Sequence, residues 1–131
     1  HAATYLSDTP VDSTFVYPAH TDEAGHAHGW LSQPYMHAIE NADRCIDQVL
    51  GGLDGDRERL VVITSDHGGH DTHHGTSSDE DTRIPIILSQ QPARASGQTL
   101  PPRASILDIA PTIAGWMGLS GAPAWQGTRL F

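Results

Sequence analysis

The stretch TSDHGGHDTHHG (64–75) places four histidines and two aspartates within twelve residues, directly behind the apolar run LVVI (60–63). A continuous apolar run of this kind reads as a buried strand of the type found in parallel sheets. A strand that ends in imidazoles and carboxylates restricts the fold, because open α/β sheets bind ligands beyond the carboxyl ends of their strands. A second cluster, HTDEAGHAHG (20–29), follows the short run TFVY (14–17), read as a strand stopped by Pro18. That cluster is read as a loop containing Gly25 and Gly29. Two such loops at one edge of one sheet can meet despite their distance in sequence.

The rest of the chain supplies the layers around these strands. Tyr35, Ile39, Ala42, Ile46, Val49 and Leu53 recur at three- and four-residue steps, with Cys45 and Leu50 widening the stripe. That spacing predicts a helix over 33–53, ended by Gly51 and Gly52. The turn GLDGDRER (52–59) leads into the LVVI strand. The acidic turn SSDED (77–81) precedes a strand at IPIIL (84–88), where Pro85 implies an edge or a strand start. A proline-rich loop spans 89–103. Asp108 reads as the N-cap of a helix to about Met117, with Pro111 in its first turn and Gly118 as its stop. The tail GAPAWQGTRLF (121–131) is turn-rich. Strand, helix, strand, strand, helix implies an α/β layer arrangement in a single domain over 1–131.

Charge and composition remove several functions. A formal net charge of −9 argues against a nucleic-acid-binding surface. All seven basic residues are arginine, so neither a lysine Schiff base nor a P-loop lysine is present. The single cysteine, Cys45, builds neither an internal disulfide nor a thiolate zinc cluster. No run approaches the roughly 18 apolar residues of a membrane span. No charged and then apolar leader is visible, and the compartment stays open.

The first cluster offers Asp22 and His26 as metal ligands, and the second offers Asp66, His67, His70, Asp71, His73 and His74. Imidazole nitrogen and carboxylate oxygen suit zinc, manganese or iron. A lone histidine is more often a half-exposed surface residue than a ligand, which is the reading given to His1, His20, His28 and His37. The density of the second cluster argues otherwise for the rest. A histidine-rich surface that merely buffers metal is the plainer alternative.

TSDHGGHDTHHG followed by EDTRIPIIL resembles the alkaline phosphatase superfamily, in particular its type I phosphodiesterase/nucleotide pyrophosphatase branch. TDEAGHAHGWLSQPYMHAIENADRCIDQVL is similar to that family's D-x-x-G-H-x-x-G block and the helix after it. SILDIAPTIAGWMGL and AWQGTRLF resemble its closing blocks. The resemblance implies an alkaline-phosphatase-like layered sheet flanked by helices, here only its C-terminal part, and two divalent metal ions, both zinc by preference, with manganese or another divalent metal as the alternative. It gives Asp22, His26 and His74 to the first metal, with His70 and His73 as rivals to His74, and Asp66 and His67 to the second. The four-residue step from Asp22 to His26 suits one side of a helical turn. The family's earlier strand with its metal-binding aspartate, and its threonine or serine nucleophile, have no match here. The chain is therefore expected to be the C-terminal portion of a larger metal-dependent hydrolase domain. The implied activity is hydrolysis of small phosphoric esters, either phosphodiesters or nucleotide pyrophosphates. Phosphomutase and sulfatase chemistry are alternatives, the latter disfavoured by the missing lysine, and a non-catalytic metal-binding domain is another.

Overall fold

A computed structural model of the chain describes residues 4–6, 9, 11–53, 57–91 and 100–131. The elements are α1 (His20–His28), α2 (Gln33–Gly51), β1 (Arg59–Thr64), a short α3 (Asp79–Thr82), β2 (Ile86–Gln91), a 3-10 turn (Ile106–Asp108) and α4 (Ile109–Trp116). They fall into two compact units, His1–Gly55 with His67–Arg83, and Asp56–Asp66 with Ile84–Phe131.

In the first unit α1 packs on α2. The expected helix over 33–53 is present with nearly the expected end, and Ser32 caps it by accepting the Tyr35 N–H at 3.3 Å. None of its residues is buried, and its apolar stripe is only half-covered. The first histidine cluster is not a loop. It forms α1, with Asp22 and Glu23 in the first turn, where the helix dipole favours carboxylates. The expected strand TFVY (14–17) is absent; Phe15 is 88% exposed and Tyr17 stacks on it at 6.5 Å. A strand needs a neighbour to take its N–H and C=O groups, and among the described residues nothing pairs with this one.

In the second unit β1 and β2 form a two-stranded antiparallel pair, running from Arg59 opposite Gln91 to Thr64 opposite Ile86. The parallel pairing expected of LVVI is corrected here. An apolar run encodes burial and not direction, and β1 is half-buried throughout its apolar length. β2 begins directly after Pro85, whose carbonyl accepts the Thr64 hydroxyl at 2.8 Å. Of the expected layered sheet, the described residues show one antiparallel pair of strands.

Asp108 does not cap α4 with its side chain. Ser105 caps the preceding 3-10 turn instead, and Asp108 closes the capping box by accepting the Ser105 N–H at 2.8 Å. Its other oxygen accepts the Thr128 N–H at 2.7 Å. These two bonds, the Thr128 one first, hold the Asp108 carboxyl below its ordinary range. Thr112, 1% exposed, donates to the Asp108 carbonyl and accepts from Leu130, which fastens the tail to α4. Of the loop expected over 89–103, residues 89–91 belong to β2, and 92–99 lie outside the described residues, as do 54–56 of the GLDGDRER turn.

Candidate metal centre

α1 supplies Asp22 and His26 four residues apart, hence on one face. The other candidate ligands come from the loop over 67–76, which doubles back on itself. His70 and His73 exchange both backbone N–H···O bonds, at 3.0 and 2.9 Å. Between them Asp71 adopts φ +46, a left-handed value that aspartate tolerates better than most residues. The reversal lays the His67 and His74 rings on each other, with centroids 3.7 Å apart and planes at 15°. It also turns two carbonyls towards the helices. Asp71 accepts the Trp30 N–H at 2.7 Å, and Thr72 accepts His26 Nδ1–H at 2.9 Å. The Trp30 indole lies against Gly25 and Gly69, where a Cβ has no room, and meets His26 and His74 at 5.2 and 5.8 Å.

Three imidazoles converge on one oxygen. Asp22 Oδ1 lies 3.5 Å from His26 Nε2 and 3.7 Å from both His67 Nε2 and His74 Nε2. The ligand atoms of Asp22, His26 and His74 lie within 4.8 Å of one another. Tautomers decide what these approaches mean. A carbonyl oxygen only accepts, so Nδ1 carries the proton in His26, bonded to Thr72, and in His67, bonded to the Gly68 carbonyl at 2.8 Å. In the neutral rings Nε2 then carries a lone pair and faces the carboxylate with no proton to share. Asp22 Oδ1 is accordingly buried without a hydrogen-bond partner.

An orphaned carboxylate oxygen ringed by imidazole lone pairs fits a divalent cation. Fixing the Nδ1–H tautomer by a backbone carbonyl is the arrangement commonly found behind metal-binding histidines. Two ligands bonded at ~2.0–2.2 Å to one cation stand at most ~4.4 Å apart, and 3.5–3.7 Å lies inside that limit. The donor set, nitrogen with one carboxylate oxygen, suits zinc and its borderline neighbours. Burial first and the Asp22 charge second raise the Tyr35 phenol above its usual pKa.

Of the expected ligands, the structure brings Asp22, His26, His74 and His67 to one place. Asp66 is counted with the other unit and is exposed. His73 is exposed and turns Nδ1 to the Thr72 hydroxyl at 2.8 Å, while His70 bonds Asp81. His20, His28 and His37 are exposed. Sequence reading missed Trp30, Tyr35 and Asp81. Asp81 carried one usable signal, a serine three residues upstream that caps α3 and accepts its N–H.

A family model described as the metalloenzyme superfamily matches residues 1–121. The chain is 26% identical over 130 residues to a 2,3-bisphosphoglycerate-independent phosphoglycerate mutase of Haloquadratum walsbyi (strain DSM 16790 / HBSQ001), an alignment covering 95% of this chain and 25% of the relative. The chain thus spans about a quarter of that relative's length. No solved structure matches it. The ordered motifs and the extent of the family match agree: the chain belongs to the metalloenzyme superfamily, the alkaline-phosphatase-like group.

Proposed function

We propose that this chain carries metal-binding residues of an enzyme that transfers the phosphoryl group of small phosphoric esters. The observation that supports it is the orphaned Asp22 Oδ1 facing the Nε2 atoms of His26, His67 and His74. Asp22, His26 and His74 hold one divalent cation, zinc by preference, and His67 faces the same Asp22 oxygen; the resemblance alone assigns Asp66 and His67 to a second. Such cations act as Lewis acids that stabilise charge on phosphoryl oxygens, which also makes an anionic substrate compatible with an acidic chain. The residues of the chain orient and protect. Thr72 and Gly68 fix the His26 and His67 tautomers, and Trp30 backs the His26 and His74 rings.

Two reactions share these ligands. Hydrolysis of a phosphodiester or nucleotide pyrophosphate is favoured by the TSDHGGHDTHHG and EDTRIPIIL blocks. Intramolecular phosphoryl transfer is favoured by the phosphoglycerate mutase relative. Native mass spectrometry with zinc tests the site itself: the parent chain holds a cation and Asp22→Ala does not, and a parent that binds none overturns the reading. The reactions separate on product, measured with the full product of the encoding gene. A hydrolase releases p-nitrophenol from bis-p-nitrophenyl phosphate. A mutase moves the phosphoryl group within phosphoglycerate without releasing inorganic phosphate, as phosphorus NMR reads directly.

A further inference from the structure

The loop that carries His67 and His74 is gripped by a carboxylate that ligates nothing in the site described above. Asp81 is 3% exposed. Its backbone carbonyl accepts the Gly68 N–H at 2.8 Å, one residue beyond His67. Its Oδ1 accepts His70 Nδ1–H at 2.8 Å. Its Oδ2 accepts both the N–H and the hydroxyl of Thr76, each at 2.7 Å, two residues beyond His74. The first attachment directly follows His67 and the last lies just beyond His74, the two histidines whose rings stack. Between them lies the His70 to His73 reversal, which presents the Thr72 carbonyl to His26.

A purely local role does not account for this. Capping α3 needs only the Ser78 hydroxyl and the Asp81 N–H. It requires neither burial of the Asp81 carboxylate nor its bonds to residues five and eleven positions upstream. Burying a charged group is costly unless its oxygens are fully bonded, and here each oxygen has its partners. We propose that Asp81, acting through His70 and Thr76, is a positioning residue that sets the placement of His74, on which the His67 ring stacks, and the orientation of His26 towards the cation that His26 and His74 share. The proposal rests on the metal-binding reading of Asp22, His26 and His74.

Cobalt(II) is the probe, because its visible absorption reports the geometry of its ligands. Spectra are taken at cobalt saturation, and affinity by competition with a chromophoric chelator. Asp81→Asn and Thr76→Val change the band and lower cobalt affinity by about 10-fold or more, the scale of outer partners of metal ligands. Thr76→Ser, which keeps the hydroxyl, restores both. A residue that only stabilises the fold lowers the melting temperature of the metal-free chain and leaves the saturated spectrum as in the parent; that result overturns the proposal. Should Asp81→Asn fail to fold, Thr76→Val decides alone, since it keeps the backbone N–H and removes one hydroxyl. A parent chain that takes up no cobalt removes the metal reading. A parent that binds cobalt while Thr76→Val matches it in spectrum and affinity removes only the positioning role.

Discussion

The two adjacent histidines at positions 73 and 74 have different surroundings. His74 Nε2 stands 3.7 Å from Asp22 Oδ1 and its ring lies on that of His67. His73 is exposed and its Nδ1 meets the Thr72 hydroxyl. His74→Ala is therefore expected to lower zinc affinity ~100-fold or more, since even outer partners of ligands are worth about 10- to 100-fold. His73→Ala is expected to change it little, and a chelator competition giving the reverse order would reassign the ligand. Asp81 sets a second expectation at this scale. The His70 hydrogen bond first, then those from Thr76, hold its carboxyl at about 2 against the opposing effect of burial. In return the bond to Asp81 raises His70 above 6.5. A depressed acid stabilises the fold above its unfolded pKa of 3.8, and the contribution disappears as pH falls through about 2. A raised histidine stabilises below 6.5, and that contribution is lost as pH climbs through its folded value. Urea midpoints of the metal-free parent minus those of Asp81→Asn should be largest between these limits and shrink on both sides. A difference that grows on acidification contradicts the assignment.

At the level of elements, the loop over 67–76 works because two glycines admit close neighbours. A Cβ at Gly68 would fall on the Glu80 carbonyl, and one at Gly69 on the Trp30 indole. The Glu80 backbone cannot yield without moving Asp81. Gly68→Ala is thus expected to cost roughly 1–3 kcal/mol, the usual penalty of overpacking, and to weaken zinc binding with it. Gly51→Ala, at the end of α2 where a Cβ meets nothing, is the control and should stabilise by at most about 1 kcal/mol. Urea unfolding of the two variants checks both. The same elements show what the sequence could reveal. α2 and β1 were legible because a 3.6-residue stripe and a β-branched run are local signals. α1 was not, since HTDEAGHAH has no apolar stripe and contains a glycine, and its helix is supported by packing on α2. TFVY has a strand's composition and no ladder partner among the described residues. The candidate ligands stood out in the sequence as residue types in a dense pattern. Their convergence did not, because it depends on the reversal at Asp71 and on Asp81 reaching back to His70. An acidic turn such as SSDED reads as solvated until that fold-back buries one of its carboxylates.

For the molecule as a whole, the question is how much chemistry this length of chain can perform. Among the described residues, the one candidate group of three or more metal-binding side chains is Asp22, His26 and His74, with His67 directed at the same Asp22 oxygen. One carboxylate oxygen at the focus of these imidazoles supports one tightly held cation. Native mass spectrometry with added zinc should accordingly find a single tight ion per chain, and two tight ions in a monomer would show a second complete site. Phosphoryl transfer in the resembled enzymes also needs an attacking hydroxyl at a helix start behind a strand that ends in aspartate, and no block of this sequence matches that pattern. Thr14, the last threonine before the first cluster, lies in an exposed stretch with no strand before it among the described residues. A single cation held there would lower the pKa of a water molecule bound to it, so slow hydrolysis at the level of free metal ions is compatible with the site. The expected result is that the chain, loaded with zinc, cleaves bis-p-nitrophenyl phosphate no faster than zinc alone. Adding the family's upstream blocks as a second polypeptide should raise the rate in the parent and leave Asp22→Ala and Asp66→Ala flat. Trapping with a phosphoryl donor followed by peptide mapping gives the opposing outcome: a phosphorylated serine or threonine within this chain would place the nucleophile here and overturn the division of labour argued from its ligands.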